Sequence, residues 1–191
     1  ATNVANYNKI YGNSPYDLGN SNTSVTIDAT KNWWGQATGP AAGKISGLVN
    51  TTPWYATATT TPETEKVTVK RGTDVIAYSD KIQPAIDAAS AGDIVEVSAG
   101  TFTANLIIGK RLALQGAGSN ETTITSTAGA GVINLTTGGE SATTRMVIKD
   151  LKVTGANYDG ITITGGSGYT TFENVVATQN NVNGVHIDVG N

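Results

Sequence analysis

Ile148-Lys149-Asp150-Leu151-Lys152-Val153, followed by Asn157-Tyr158-Asp159-Gly160-Ile161-Thr162-Ile163, is echoed further along by Phe172-Glu173-Asn174-Val175-Val176-Ala177, followed by Asn183-Gly184-Val185-His186-Ile187. Ile148 and Phe172, Leu151 and Val175, Val153 and Ala177, Ile161 and Val185, and Ile163 and Ile187 each lie 24 residues apart. Self-similarity at one spacing between roughly 20 and 50 residues marks a solenoid, in which each repeat buries its apolar face on its neighbours. Within each copy the apolar residues alternate with Lys, Asp, Thr or His, the period-2 pattern of a strand with one buried face. Short strands joined at Gly and Asn corners, with no helix between them, predict an all-β fold. It is a right-handed parallel β-helix whose equivalent positions stack at about 4.8 Å. Gly160 and Gly184 fall at the same corner, where the missing Cβ allows a sharp bend.

Working outward, the first residues of the chain carry the same pattern as the last. If Ala1 is imagined directly after Asn191, Ile10 and Leu18 fall 24 residues beyond Ala177 and Val185, and a further step of 24 carries Asn8 to Asn32 and Ile10 to Trp34. Only around Val4 to Tyr7 does the alignment want about one more residue. The expectation is that the last coil continues into the first. Val4, Ile10 and Leu18 would then meet Val175, Ala177, Val185, Ile187 and Val189 at a subunit or repeat interface.

Three segments follow from this reading. Residues 1–50 form terminal coils with a Trp-rich end, residues 51–78 a linker with short strands leading into the solenoid, and residues 79–191 a capping helix with the first coils of a β-helix. Gly39-Pro40, Pro53 and Pro62 punctuate a Thr- and Ala-rich stretch that reads as an end loop passing into the linker. The short N-terminal capping helix is expected around residues 79–91. Ser79 or Asp80 would start it, Ile82, Ala85, Ile86 and Ala89 would share a face, and Gly92 would end it. Trp33, Trp34 and Trp54 are expected to cover one open end of the core, and Ile82 and Ile86 the other. A tryptophan platform for sugar rings is the alternative.

Composition supports the same class. Only 14 % of the 191 residues are charged, while 23 are glycine, as in polar, turn-rich all-β chains. A formal charge of −3 offers no electrostatic ground for nucleic acid or an anionic membrane as partner. No apolar run reaches the roughly 18 residues of a membrane span. The chain has no cysteine, which removes disulfides and thiolate chemistry but not secretion. Beginning at Ala with no signal segment, it reads as processed, truncated or excised.

Gly92-Asp93-Ile94-Val95-Glu96-Val97 with Ala99-Gly100-Thr101-Phe102, then Lys110-Arg111-Leu112-Ala113-Leu114-Gln115-Gly116-Ala117-Gly118, follow the helical Ile82-Gln83-Pro84-Ala85-Ile86-Asp87-Ala88-Ala89. This run resembles the N-terminal end of the pectate-lyase-like parallel β-helix superfamily. Asn32-Trp33-Trp34-Gly35 with Gly39-Pro40 and Pro53-Trp54 resembles the way many secreted β-helix repeat proteins of bacteria and archaea finish a domain. The resemblance implies the solenoid fold and an extracellular or cell-surface setting in a prokaryote. It implies no single activity, because the superfamily includes lyases, hydrolases, adhesins and structural proteins.

A lyase of that kind would need carboxylates clustered around Ca2+ and a nearby arginine. Asp150 lies near Arg145 in sequence, but its equivalents one and two repeats on are Asn174 and Tyr7. Asp159, in line with Asn183 and Tyr16, reads as a turn residue, and His186 as a solvent-facing imidazole with no carboxylate partner. Thr-x-Thr pairs at Thr123/Thr125 and Thr162/Thr164 fall short of an ice-binding array, because Thr162 lies opposite His186. Sequons begin at Asn22, Asn50, Asn120 and Asn134, so glycosylation is permitted without being indicated. No catalytic or metal site and no cofactor is expected; Ca2+ is compatible with the fold but no residue set points to it. The sequence therefore leads to a non-enzymatic extracellular subunit that stacks head to tail, as a homopolymer or tandem repeat, into a fibre, sheath or surface layer, with closure of residues 1–50 onto the C-terminal coil of the same chain left open by the length of the linker. The alternative is a glycan-binding or polysaccharide-lyase-like protein.

Overall fold

The structure is a computed structural model describing residues 2–62, 65–127, 131–164 and 168–188. The chain is 40 % strand and 4 % helix, and its parallel strands stack as a β-solenoid of about seven turns counted over two units, Ala1–Ala88 and Ala89–Asn191.

In the first unit the strands are β1 (Asn3–Val4), β2 (Leu18–Gly19), β3 (Ile27–Asp28), β4 (Ile45–Ser46), β5 (Val49–Asn50), β6 (Trp54–Tyr55), β7 (Val67–Arg71) and β8 (Asp74–Ser79), followed by α1 (Ile82–Ala88). β1, β3 and β5 stack in parallel, with Asn3 opposite Ile27 and Ile27 opposite Val49. β2 stacks on β4, Lys9 bridges to Trp33, and β6 lies parallel to β8. The Lys9–Trp33 bridge is the expected 24-residue step. β7 and β8 form an antiparallel hairpin turned at Gly72. The stretch between Gly39 and Pro62, expected as an end loop passing into the linker, contains β4, β5 and β6. Each of these has only two residues, too few for an alternation to be read; left-handed Gly39 and Gly43 precede β4, and left-handed Gly47 separates β4 from β5.

The helix is shorter than expected. Ser79 Oγ accepts from Lys81 N at 3.0 Å just before it, and Pro84 falls among the first four helical residues, whose N–H groups have no partner within the helix. α1 buries Ile82, Ala85, Ile86 and Ala88 and packs on β7 and β8. It stops at Ala88; Gly92, at φ 92°, bends the chain afterwards.

The second unit comprises β9 (Ile94–Val97), β10 (Gly100–Thr103), β11 (Leu106–Ile108), β12 (Ala113–Gln115), β13 (Thr122–Thr125), β14 (Ile133–Leu135), β15 (Met146–Thr154), β16 (Ile161–Thr164), β17 (Thr170–Thr178) and β18 (Val185–Asp188). Every pairing among them is parallel. Val95, Leu114, Ile148 and Phe172 make one column, and Leu106, Ile133, Ile161 and Val185 another. All five 24-residue matches in the sequence are opposed Cα partners in β15–β17 and β16–β18. The period-2 pattern thus places one face of each strand in a continuous core. Earlier coils keep the columns while their loops vary in length, so Leu114 and Ile148 are neighbours though 34 residues apart. Gly160 does not have positive φ, so the bend expected there is not what requires glycine. A Cβ would meet Asn180 Nδ2 at 2.6 Å and Gly184 O at 2.7 Å, and this close approach is the physical reason.

Candidate functional site

Each unit has an end coil paired on one side only. Among the described residues β17 bonds to β15 and β18 to β16, with no strand on their other edges. In the first unit β1 bonds only to β3, and β2 only to β4. Of the two edge strands in the sheet β11–β14–β16–β18, only β18 leaves its core-side residues open to solvent. Along the column Ile108, Leu135, Ile163 and Ile187 the exposures are 0, 0, 3 and 60 %. Val185, last after Leu106, Ile133 and Ile161, is 41 % exposed, and Val176 and Val182 in the same coil are exposed too. The last rung therefore shows solvent both an apolar core and a row of backbone groups able to pair.

The residues expected at an interface lie on these two coils. Val175, Ala177, Val185 and Ile187 share the last coil of the second unit, and Val4, Ile10 and Leu18 share the first coil of the first. Val189 lies outside the described residues. Trp33 is opposite Lys9, and Trp34 is buried one rung inward from Ile10. Trp54 lies against Gly39 and donates from Nε1 to Ala37 O at 2.8 Å. Ile82 and Ile86 are buried in the helix that packs on β7 and β8.

Sequence reading missed the corners. Asp150, Asn174, Tyr7 and Lys31 take left-handed φ of 56°, 49°, 63° and 54°, uncommon for residues other than glycine. A second left-handed corner follows in each coil, at Gly155, Gln179, Gly12 and Gly35. Asp and Asn tolerate this conformation and supplied a weak signal; Tyr and Lys supplied none. The corners stack through their side chains as well. Asn174 Nδ2 donates to Asp150 Oδ1 at 3.0 Å, and Ser119 Oγ donates to Asn174 Oδ1 at 2.9 Å.

At the first-unit corners Lys31 Nζ lies 2.9 Å from Glu65 Oε1 and 5.0 Å from the centre of the Tyr78 ring. The buried Tyr55 donates its hydroxyl to Glu65 Oε1 at 2.9 Å. The Glu65 hydrogen bond holds the Lys31 ammonium above its ordinary pKa, against the opposing effect of burial. Burial first, and Glu65 second, push the Tyr55 phenol up. Both pKa values are raised, so these groups stabilise the fold fully below their ordinary values, about 10, and lose that contribution as pH rises through the folded values. The melting temperature of the first unit is expected to fall between pH 9 and 11, by more than in a Glu65→Gln variant. Circular dichroism melts across that range check it.

His186 corrects the sequence reading, for it has a carboxylate partner. Its Nδ1 is 2.9 Å from Asp159 Oδ2, and because a carboxylate only accepts, Nδ1 carries the proton. Asn183 donates to Asp159 Oδ1 from its backbone N at 3.1 Å and from Nδ2 at 2.7 Å. Burial raises the Asp159 pKa, but the bonds from Asn183 and His186 and the His186 charge outweigh it, and the carboxyl ends below its ordinary value. Its contribution is present above about pH 4 and is lost as pH falls through the lowered value. Asp159→Asn is expected to flatten the acid limb of a stability-against-pH curve between about pH 2 and 4, as read by urea unfolding. The pair joins the last two coils, and the Thr162 hydroxyl donates to the same Asp159 Oδ2 at 3.5 Å.

Elsewhere Thr103, Thr125, Thr154 and Thr178 form one column, but in the adjoining one Thr101 and Thr123 give way to Lys152 and Val176. Arg145 donates to Ala142 O at 3.1 Å and lies over the Tyr169 ring. No group of three or more His, Cys, Asp or Glu side chains able to hold a metal occurs among the described residues. No protein-family model, curated protein or solved structure matches the chain.

Proposed function

We propose that the protein is a structural subunit whose copies add end to end, the first coil of one seated on the last coil of the next, to build an extracellular fibre, sheath or surface layer. The observation that carries this reading is the apolar column that is closed through three rungs and open at the fourth, Ile187. Covering that rung removes apolar area from water and pairs the edge groups of β17 and β18, as strand addition does. The free edges of β1 and β2 are the complementary kind: they lie where a preceding parallel coil would pair. Two unlike ends make a heterologous contact, which propagates unless it closes. The sequence resemblance to pectate-lyase-like surface proteins supports the extracellular setting.

Light scattering over a range of concentrations, followed by electron microscopy, tests the reading. Mass that grows with concentration, together with fibres or sheets, is the expected result. A single monomeric mass at every concentration overturns it. Turnover of acidic polysaccharides, with or without added Ca2+, would favour the carbohydrate-active alternative.

A further inference from the structure

We infer that the partner on the last coil is a second copy of this chain docked in one register, with Tyr7 stacked on Asn174 and Gly12 on Gln179. This rests on the end-to-end reading above and specifies the joint. The ground is a comparison of coils by their internal spacing, measured from the first left-handed corner. In the coil of Asp150 the strand before the corner begins 4 residues earlier at Met146, the second corner comes 5 later at Gly155, and the next strand begins 11 later at Ile161. In the coil of Asn174 the same spacings of 4, 5 and 11 run to Thr170, Gln179 and Val185. They recur around Tyr7, at Asn3, Gly12 and Leu18. The coil of Lys31, on which the Tyr7 coil is stacked, departs from them, with 4, 4 and 14 at Ile27, Gly35 and Ile45. The first coil of the first unit therefore matches the end coils of the second unit more closely than it matches its own neighbour.

In both units the end coil stacks corner on corner, Asn174 on Asp150 and Tyr7 on Lys31, and the ladder bonds continue on both sides of the corner. With Tyr7 on Asn174, Ile10 covers Ala177, Leu18 covers Val185, and Gly19 leaves room above the His186 ring. Asn20 covers Ile187 with its amide already bonded to Val25 O and Leu48 O at 2.7 Å each. A slip of one residue would turn these side chains to the opposite face, and a slip of two would set a corner against an extended segment.

The absence of cysteine makes the register directly testable. Val176 and Lys9 are both exposed and both lie two residues past a corner, so the inferred register places their Cα atoms about 4.8 Å apart, within the range of a disulfide. Val176→Cys chains are mixed with tagged Lys9→Cys chains, oxidised and run on a non-reducing gel; a parallel mixture uses Tyr11→Cys in place of Lys9→Cys. The mixed dimer is expected at least tenfold more abundant with Lys9→Cys than with Tyr11→Cys. Equal yields, or a preference for Tyr11→Cys, in chains that light scattering shows to associate would overturn the register and leave the end-to-end reading standing. Absence of association by light scattering in unmodified chains would overturn both.

Discussion

Replacing Ile187 with aspartate is expected to weaken association between copies by about 100-fold or more, while the melting temperature of the unassociated chain moves by only a few degrees. In one chain Ile187 is 60 % exposed on the outer edge of β18, so a polar side chain there leaves no cavity and buries no charge. Surface changes of this sort usually stay within about 0.5 kcal/mol. In a stacked pair the same position becomes an inner rung, continuous with Ile163, Leu135 and Ile108. A carboxylate enclosed there without a partner costs several kcal/mol, and about 2.7 kcal/mol already corresponds to the 100-fold loss. Sedimentation or light scattering gives the association constant, and a circular dichroism melt at low concentration gives the fold. An Ile187→Asp chain that associates like the original would mean that β18 lies outside the joint.

The other large effect belongs to the interior. Leu114 is fully buried, with Val95 on one side of it in register and Ile148 on the other. Leu114→Ala removes atoms from the middle of a column whose neighbours are held by their own ladders, so the space collapses only in part. A loss of about 2–5 kcal/mol is expected. For a unit of this size that lowers the melting temperature by roughly 10 °C or more. Because a solenoid is stabilised by contacts between neighbouring coils, the damage should uncouple the coils on either side and broaden the transition. A sharp melt within about 2 °C of the original would show that this column does not hold the second unit together.

Most of the second unit could be read in advance. Lys149, Lys152, Thr162 and His186 alternate with apolar residues in matched positions, and such a pattern is buried consistently only if the copies stack in register. The two-residue strands at Ile45, Val49 and Trp54 could not be read, because pairing partners distant in sequence define them and they have no pattern of their own. Gly160 was recognisable as a special position, but not for its reason, since the obstructing Asn180 and Gly184 reach it only after a full turn. The Asp159–His186 pair escaped notice for the same cause: it spans 27 residues, one turn plus the offset between a corner and a strand.

The sequence by itself determined that this chain is a parallel β-solenoid, because a period-2 burial pattern repeated at 24 residues is satisfied by stacked coils and by little else. It also led to the expectation that the end coils form a contact between copies. Only the tertiary structure decided where each coil turns, since a left-handed Tyr7 or Lys31 has no local preference behind it and is held by the coil stacked beside it. The same holds for which apolar residues stay in water: Ile163 and Ile187 have the same residue type and strand position, but Ile163 is covered by β18 and Ile187 by no strand among the described residues.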